Sequence, residues 1–379
     1  MDFKRIKYID KPFVLFLFLL IAFGLIVLVS ATEAISTSTM NSFLLRQIVV
    51  LVGGLVVVIL IIRYDYLLIR RFSWVLYGTA ILLLFMVLFF GQEMRGTNGW
   101  LKIGPLPALQ VAEITKILLI LAFANFLNQR RDNLHTLGEI MPCIIFMGIP
   151  FAMIIMQPDL GTALVYIAFT VVMMFFAGAD PKRLGALIMA AVLMIALVLF
   201  LHFQFDLPLP LKNYQIQRLT IFIDPYNDGL GGRGAGWNTI QSLVAIGSGG
   251  FSGRGLFQGT QVQLNFLPEH HTDFIYAVIG EELGFIGAFA VIIIYMIILI
   301  RTLLISFRAK DLYGSLLVIG ISAMWLFHIF ENIGMSLGVM PITGIPLPFI
   351  SYGGSSMLTN LVAVGLILSV NIRGNRLVF

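Results

Sequence analysis

Leu283 to Ile300 reads LGFIGAFAVIIIYMIILI and carries no charge. As a helix rising about 1.5 Å per residue, this run alone nearly crosses the hydrocarbon of a bilayer. It closes a longer segment, 273–300, and nine comparable apolar segments accompany it: 13–31, 45–62, 73–90, 109–128, 138–156, 162–178, 184–203, 314–337 and 356–372. The whole chain of 379 residues is 59% hydrophobic and 11% charged, with a mean hydropathy of +0.98. A soluble fold of that length has no means of hiding so much apolar surface. The composition therefore predicts an all-α, polytopic integral membrane protein of ten spans, a single membrane domain over 1–379.

The net charge of +5 would hint at nucleic acid in a soluble protein, but its distribution points elsewhere. With the N-terminus inside, the inner loops and tails hold sixteen of the 24 basic residues, from Lys4, Arg5 and Lys7 to Arg373 and Arg376. The positive-inside rule then predicts both termini in the cytoplasm, and no nucleic-acid partner. The N-terminal apolar run is longer than the core of a usual signal peptide and is read as a span. Between spans seven and eight lies one large extracytoplasmic loop, 204–272, in which Ile240 to Ile246 is expected to form a short amphipathic helix at the interface. Cys143 is the only cysteine, which excludes a disulfide and a cysteine metal cluster.

Ionisable groups inside spans are costly, so each is a candidate for function. Counted along the helices, Glu113, Lys116, His328, Glu331, Glu281 and Glu282 fall in the outer halves or at the outer boundary of their spans, and Asp159 falls at an outer helix end. That asymmetry favours an enzyme working at the outer leaflet over a transporter with a midplane site. The loop PITGIPLPFISYGGSS, Pro341 to Ser356, is on the same face, and irregular backbone there must be buried in protein or line a wet cavity.

From Gly236 to Gly287 the chain is glycine-rich and hydrogen-bonding, with Glu269, His270, His271 and Asp273 clustered just before the eighth span. Asp273 alone reads first as a helix cap, since Thr and Asp are favoured there and an acid suits the helix dipole. Its proximity to Glu269 and the histidines raises it to a candidate base. Glu113 and Lys116, three apart, pair on one helical face either as a structural ion pair or as a site that offers a cation to a phosphate. Asp159 is explained equally well by capping the sixth span. The adjacent histidines lack the spacing of a zinc helix, and the glycines of GSGGFSGRG lack that of a phosphate-binding loop.

Several motifs in one order resemble a known family, the SEDS glycosyltransferases that polymerise peptidoglycan. WLKIGPLPALQVAEITK supplies Trp100, Gly104, Gln110, Glu113 and Lys116; QPDLGT is Gln157 to Thr162; the YQ..R element is Tyr214, Gln215 and Arg218. FLPEHHTDFI runs from Phe266 to Ile275, and PLPFISYGGSS from Pro346 to Ser356. GTQVQLNFLPE is similar to the RodA branch of cell elongation, and Val111-Ala112 departs from the family's usual Pro-Ser. The resemblance implies lipid II polymerisation by inverting glycosyl transfer, with Asp273 as the base and Glu113, Lys116, Asp159, Arg218, Trp100 and Glu269 binding or supporting substrate; Asp273, Glu113, Lys116 and Asp159 are expected to border one cavity open to the outer leaflet. It further implies a divalent cation such as Mg or Mn as a possible aid, a class B penicillin-binding protein as partner, and other elongation-complex membrane proteins such as MreC and MreD. A lipid II flippase and a non-catalytic membrane scaffold stay open as alternatives.

Overall fold

The computed structural model describes residues 8–33, 37–94, 97–102, 108–131, 133–205 and 213–374. Lys4, Arg5, Lys7, Gly104 and Arg376 lie outside them. In chain order the elements are α1 (Lys11–Glu33), α2 (Thr37–Arg63), α3 (Tyr66–Arg70), α4 (Ser73–Phe90), β1 (Gln92–Met94), β2 (Thr97–Leu101), β3 (Leu109–Gln110), α5 (Val111–Asn128), α6 (Leu137–Met156), α7 (Leu160–Phe176) and α8 (Pro181–Phe205). There follow α9 (Asn213–Ile223), α10 (Trp237–Gly249), α11 (Thr260–Gln263), α12 (Ile275–Phe307), α13 (Leu312–Ser336) and α14 (Gly354–Gly374). Among the described residues nine helices are long and apolar enough to cross a membrane, and α7, with 17 residues, is the tenth apolar segment.

The bundle is built around α5, α13 and α14, which are buried along most of their length, while α2, α4 and especially α8 turn apolar faces outward. In lipid such exposure costs nothing, and packing and interhelical hydrogen bonds hold the helices together instead. Trp325 Nε1 of α13 donates to Asn360 Oδ1 of α14 at 2.8 Å. The start of α1 and the close of α14 meet at one end of the bundle: the Asp10 N–H donates to Asn371 Oδ1 at 2.9 Å, and Asp10 pairs with Arg301 near the close of α12. A three-stranded antiparallel sheet, β1-β2-β3, covers the opposite end between α4 and α5. Its short, polar strands give no alternating pattern, and the sequence offered no sign of them.

Helix α12 is broken. Gly284 has φ 65° and ψ −161° inside it, a conformation open in practice only to glycine. The break strips partners from backbone groups on both sides, and the glycine loop 249–255 replaces them. Arg254 N–H and Gly255 N–H donate to the carbonyls of Glu281 and Glu282 at 3.0 and 2.9 Å, while Phe285 N–H and Ile286 N–H donate to Gly250 and Phe251 at 2.9 and 3.2 Å. Close approach requires glycine in the loop as well, since a Cβ on Gly253 would lie 2.1 Å from the Glu282 carbonyl oxygen. GSGGFSGRG is thus a splint for a broken helix, and α10, longer than the expected 240–246 helix, packs on α12 just before it.

Candidate active site

Residues 268–274 form a tight turn before α12. Glu269 takes a left-handed φ of 51°, and its carbonyl accepts the N–H groups of Thr272 and Asp273 at 3.2 and 3.0 Å. The N-cap of α12 is Phe274, not Asp273. The capping role expected for Asp273 is therefore not the one it has, because the helix begins one residue later than an Asp273 cap would start it.

The turn is fixed from three sides. Ser351 Oγ donates to the Thr272 carbonyl at 2.6 Å, and Tyr352 N–H to that of His271 at 3.0 Å. On α13, Asn332 Nδ2 donates to the Asp273 carbonyl at 2.8 Å and to that of Ile345 at 2.7 Å. The His270 ring is buried with Nδ1 2.6 Å from the Leu267 carbonyl and Nε2 2.7 Å from that of Ala31, a structural role rather than metal ligation. Within the Pro341–Ser356 loop the stretch from Leu347 to Ser351 is buried in protein, while the exposed Gly344 lies against Asp273: a Cβ there would be 3.3 Å from Asp273 Oδ2.

One face of α13 connects this turn with the other predicted residues. His328, Glu331 and Asn332, at i, i+3 and i+4, lie on a common face. His328 Nε2 is 3.0 Å from Lys116 Nζ, which donates to Glu113 Oε1 at 2.7 Å. Glu331 Oε1 accepts from Thr343 Oγ1 at 2.9 Å. The α7 terminus reaches the same loop, since a Cβ on Gly161 would lie 2.8 Å from Thr343 Cβ. Asp159 caps α7, accepting from Thr162 N–H and Oγ1, both at 2.9 Å.

Lys116 and Glu113 are only 1% and 3% exposed. Rather than bordering an open cavity, as the sequence suggested, they form an ion pair enclosed between α5 and α13, because His328 from the neighbouring helix closes over the ammonium. Glu269 is exposed, its carboxylate accepting from Thr272 Oγ1 at 3.0 Å. Arg218 is half-buried on α9. Trp100 on β2 has a buried Nε1 without a hydrogen-bond partner among the described residues. Asn332 and Thr343 escaped the sequence reading. Their signal was the i+4 spacing from His328 and the proline-glycine loop.

Outside the spans, Asp228 organises the large loop. Its Oδ1 accepts from Leu230 and Gly232 N–H at 2.9 and 2.8 Å, and its Oδ2 from Gly234 and Gly236 at 2.7 and 3.3 Å. These backbone donors, led by Gly232, hold its pKa down to about 2. Trp237, just after, donates from Nε1 to the Phe266 carbonyl at 2.8 Å, tying the loop to the Asp273 turn.

Fold and site together define a polytopic helical membrane protein with a carboxylate-bearing site at the end of its bundle remote from the Asp10–Arg301 pair. The chain belongs to the FtsW/RodA/SpoVE family, whose model, described as a cell cycle protein, matches residues 11–375. It is 32% identical to the peptidoglycan glycosyltransferase RodA of Treponema pallidum, over 98% of this chain and 100% of that one. It is 36% identical to the peptidoglycan glycosyltransferase MrdB of Escherichia coli K12, over 86% and 85%, and 34% identical to a probable peptidoglycan glycosyltransferase FtsW of Trichlorobacter lovleyi, over 97% and 94%. Among solved structures it resembles a chain from a peptidoglycan synthase complex described as coordinating polymerization and crosslinking, with TM-score 0.80, 29% identity and coverage of 96% and 97%. RodA of Thermus thermophilus gives TM-score 0.69 at 27% identity, over 96% of each chain.

Proposed function

We propose that the protein is a peptidoglycan glycosyltransferase that polymerises lipid II at the outer face of the bacterial cytoplasmic membrane, as its relatives' names and its own site geometry favour. The observation that carries this reading is the placement of Asp273: half-buried, outside the α12 cap, and set against Gly344. The Asp273 carboxylate takes the proton of the acceptor GlcNAc 4-hydroxyl, whose oxygen attacks the anomeric carbon of the donor MurNAc from the face opposite the leaving group. The bond to the undecaprenyl pyrophosphate oxygen breaks, its electron pair leaves with the pyrophosphate, and configuration inverts. That leaving group needs charge neutralisation more than a proton. Arg218 is the more accessible cation for it, since Lys116 is enclosed with Glu113 and His328.

No group of three or more His, Cys, Asp or Glu that could hold a metal ion occurs among the described residues. A divalent cation, Mg or Mn, would therefore need pyrophosphate oxygens among its ligands, and no step above depends on one. The family's RodA branch, favoured by GTQVQLNFLPE, assigns the work to cell elongation, with a class B penicillin-binding protein as the crosslinking partner and MreC and MreD as further associates. The ionisable groups of α5, α7 and α13 gather at one end of the bundle, which favours an enzyme over a flippase. A scaffold has no use for them.

The test is lipid II polymerisation by the Asp273→Asn protein with its partner present. Asn keeps the size of the side chain but cannot take the proton, so activity should fall by about 10²- to 10⁴-fold. Polymerisation at the wild-type rate would remove Asp273 as the base.

A further inference from the structure

We infer that Asn332 is the positioning residue of Asp273, an assignment that rests on the reading of Asp273 as the base. Asn332 is 0% exposed, and its single amide nitrogen bridges the main chains of two segments distant in sequence, at Asp273 and at Ile345. Facing two carbonyl oxygens, the carboxamide has only one tolerable orientation, because the flipped amide would set oxygen against oxygen. The residue before it repeats the hold: Glu331 accepts from Thr343 Oγ1 at 2.9 Å. Two consecutive residues of α13 therefore grip positions 343 and 345, on either side of Gly344.

Gly344 has φ +75°, and the space where a side chain would begin is 3.3 Å from Asp273 Oδ2. The direction of the base is set by this arrangement. Asn332 fixes the backbone from which the carboxylate projects, and Gly344, held by the same helix, forms the wall beside it. Without Nδ2, the bridge between the Asp273 and Ile345 carbonyls is lost and the turn separates from the loop. A displacement of about 1 Å at a reacting group can cost about 10²-fold in rate.

The experiment is a double-mutant cycle on the full-length protein with its partner, using fluorescent lipid II and folded protein quantified by size-exclusion chromatography. Asn332→Leu keeps the volume and removes the donor. It is expected to lower kcat by about 10²-fold with KM within about threefold of wild type, as for an interaction realised in the transition state. In an Asp273→Asn background the same change should cost nothing further, because a residue that acts through the base has nothing left to position. An independent, multiplicative loss in the double mutant, or unchanged kcat in Asn332→Leu, overturns the inference. Full activity in Asp273→Asn alone would instead overturn the assignment of the base. If Asn332→Leu does not fold, Gly344→Ala carries the same cycle, since its methyl group would crowd Oδ2 directly, and a multiplicative loss there counts equally against the proposal.

Discussion

Lys116 is buried and needs hydrogen-bond partners where it sits. A lysine ammonium has three donors, of which Glu113 and His328 take two at 2.7 and 3.0 Å. Glu113→Gln would leave a buried cation without its counter-charge, at roughly 3 to 5 kcal/mol. Thermal unfolding in detergent of both single mutants and of Glu113→Gln/Lys116→Met should show strong coupling, and strictly additive losses would show that the pair acts separately. Asp228 makes a prediction about pH. Its folded pKa of about 2 lies below the value of about 3.9 for a free aspartate. Its contribution to loop stability is therefore complete above about pH 4 and is lost as pH falls through about 2. Amide exchange across 228–236 should rise sharply over that window, and Asp228→Asn should flatten the dependence. The Glu113–Lys116 pair was legible from its spacing, and so was the Asp159 cap. The Lys116–His328 contact was not, because it depends on how α5 and α13 rotate against each other, which neither helix's own sequence states.

The break in α12 separates what a sequence pattern reveals from what it conceals. A glycine within an apolar run is tolerated in a straight helix, so nothing at Gly284 announced a kink. The decisive facts are the replacement hydrogen bonds supplied by residues about thirty positions earlier. Gly284→Ala would force a side chain into a glycine-only conformation and set a Cβ 2.3 Å from the Gly253 nitrogen. It should destabilise by at least about 1–3 kcal/mol in a detergent melt. Gly78→Ala in α4, which meets nothing within 4 Å, should be neutral or slightly stabilising, and equal losses at the two positions would refute the splint. The far end of α12 also outruns the expected span, continuing past Ile300 to Phe307. Polar residues there suit the membrane boundary, and Arg301 finds Asp10.

Ten apolar segments returned ten helices, because the need to satisfy every backbone group within lipid leaves helices as almost the only solution. Asp10 and Asn371, near the two limits of the described chain, lie at the end of the bundle marked by the Asp10–Arg301 pair, while Asp273 lies at the other. Single cysteines at Tyr8 and Lys310, in a Cys143→Ala background, should react with an impermeant thiol reagent only after permeabilisation. One at the exposed Leu264 should react in intact cells. Labelling of position 8 from outside would reverse the proposed orientation. The splint across α12 also bears on how the chain is made. Residues 249–255 leave the ribosome before the helix they repair, so the replacement partners for the backbone groups that the Gly284 break strips in α12 are already made when that segment enters the bilayer. Had the loop followed the helix, the insertion machinery would have had to admit a span with four backbone groups open to hydrocarbon, each costing several kcal/mol. The order of these segments along the gene is thus suited to delivering a bent helix into a membrane.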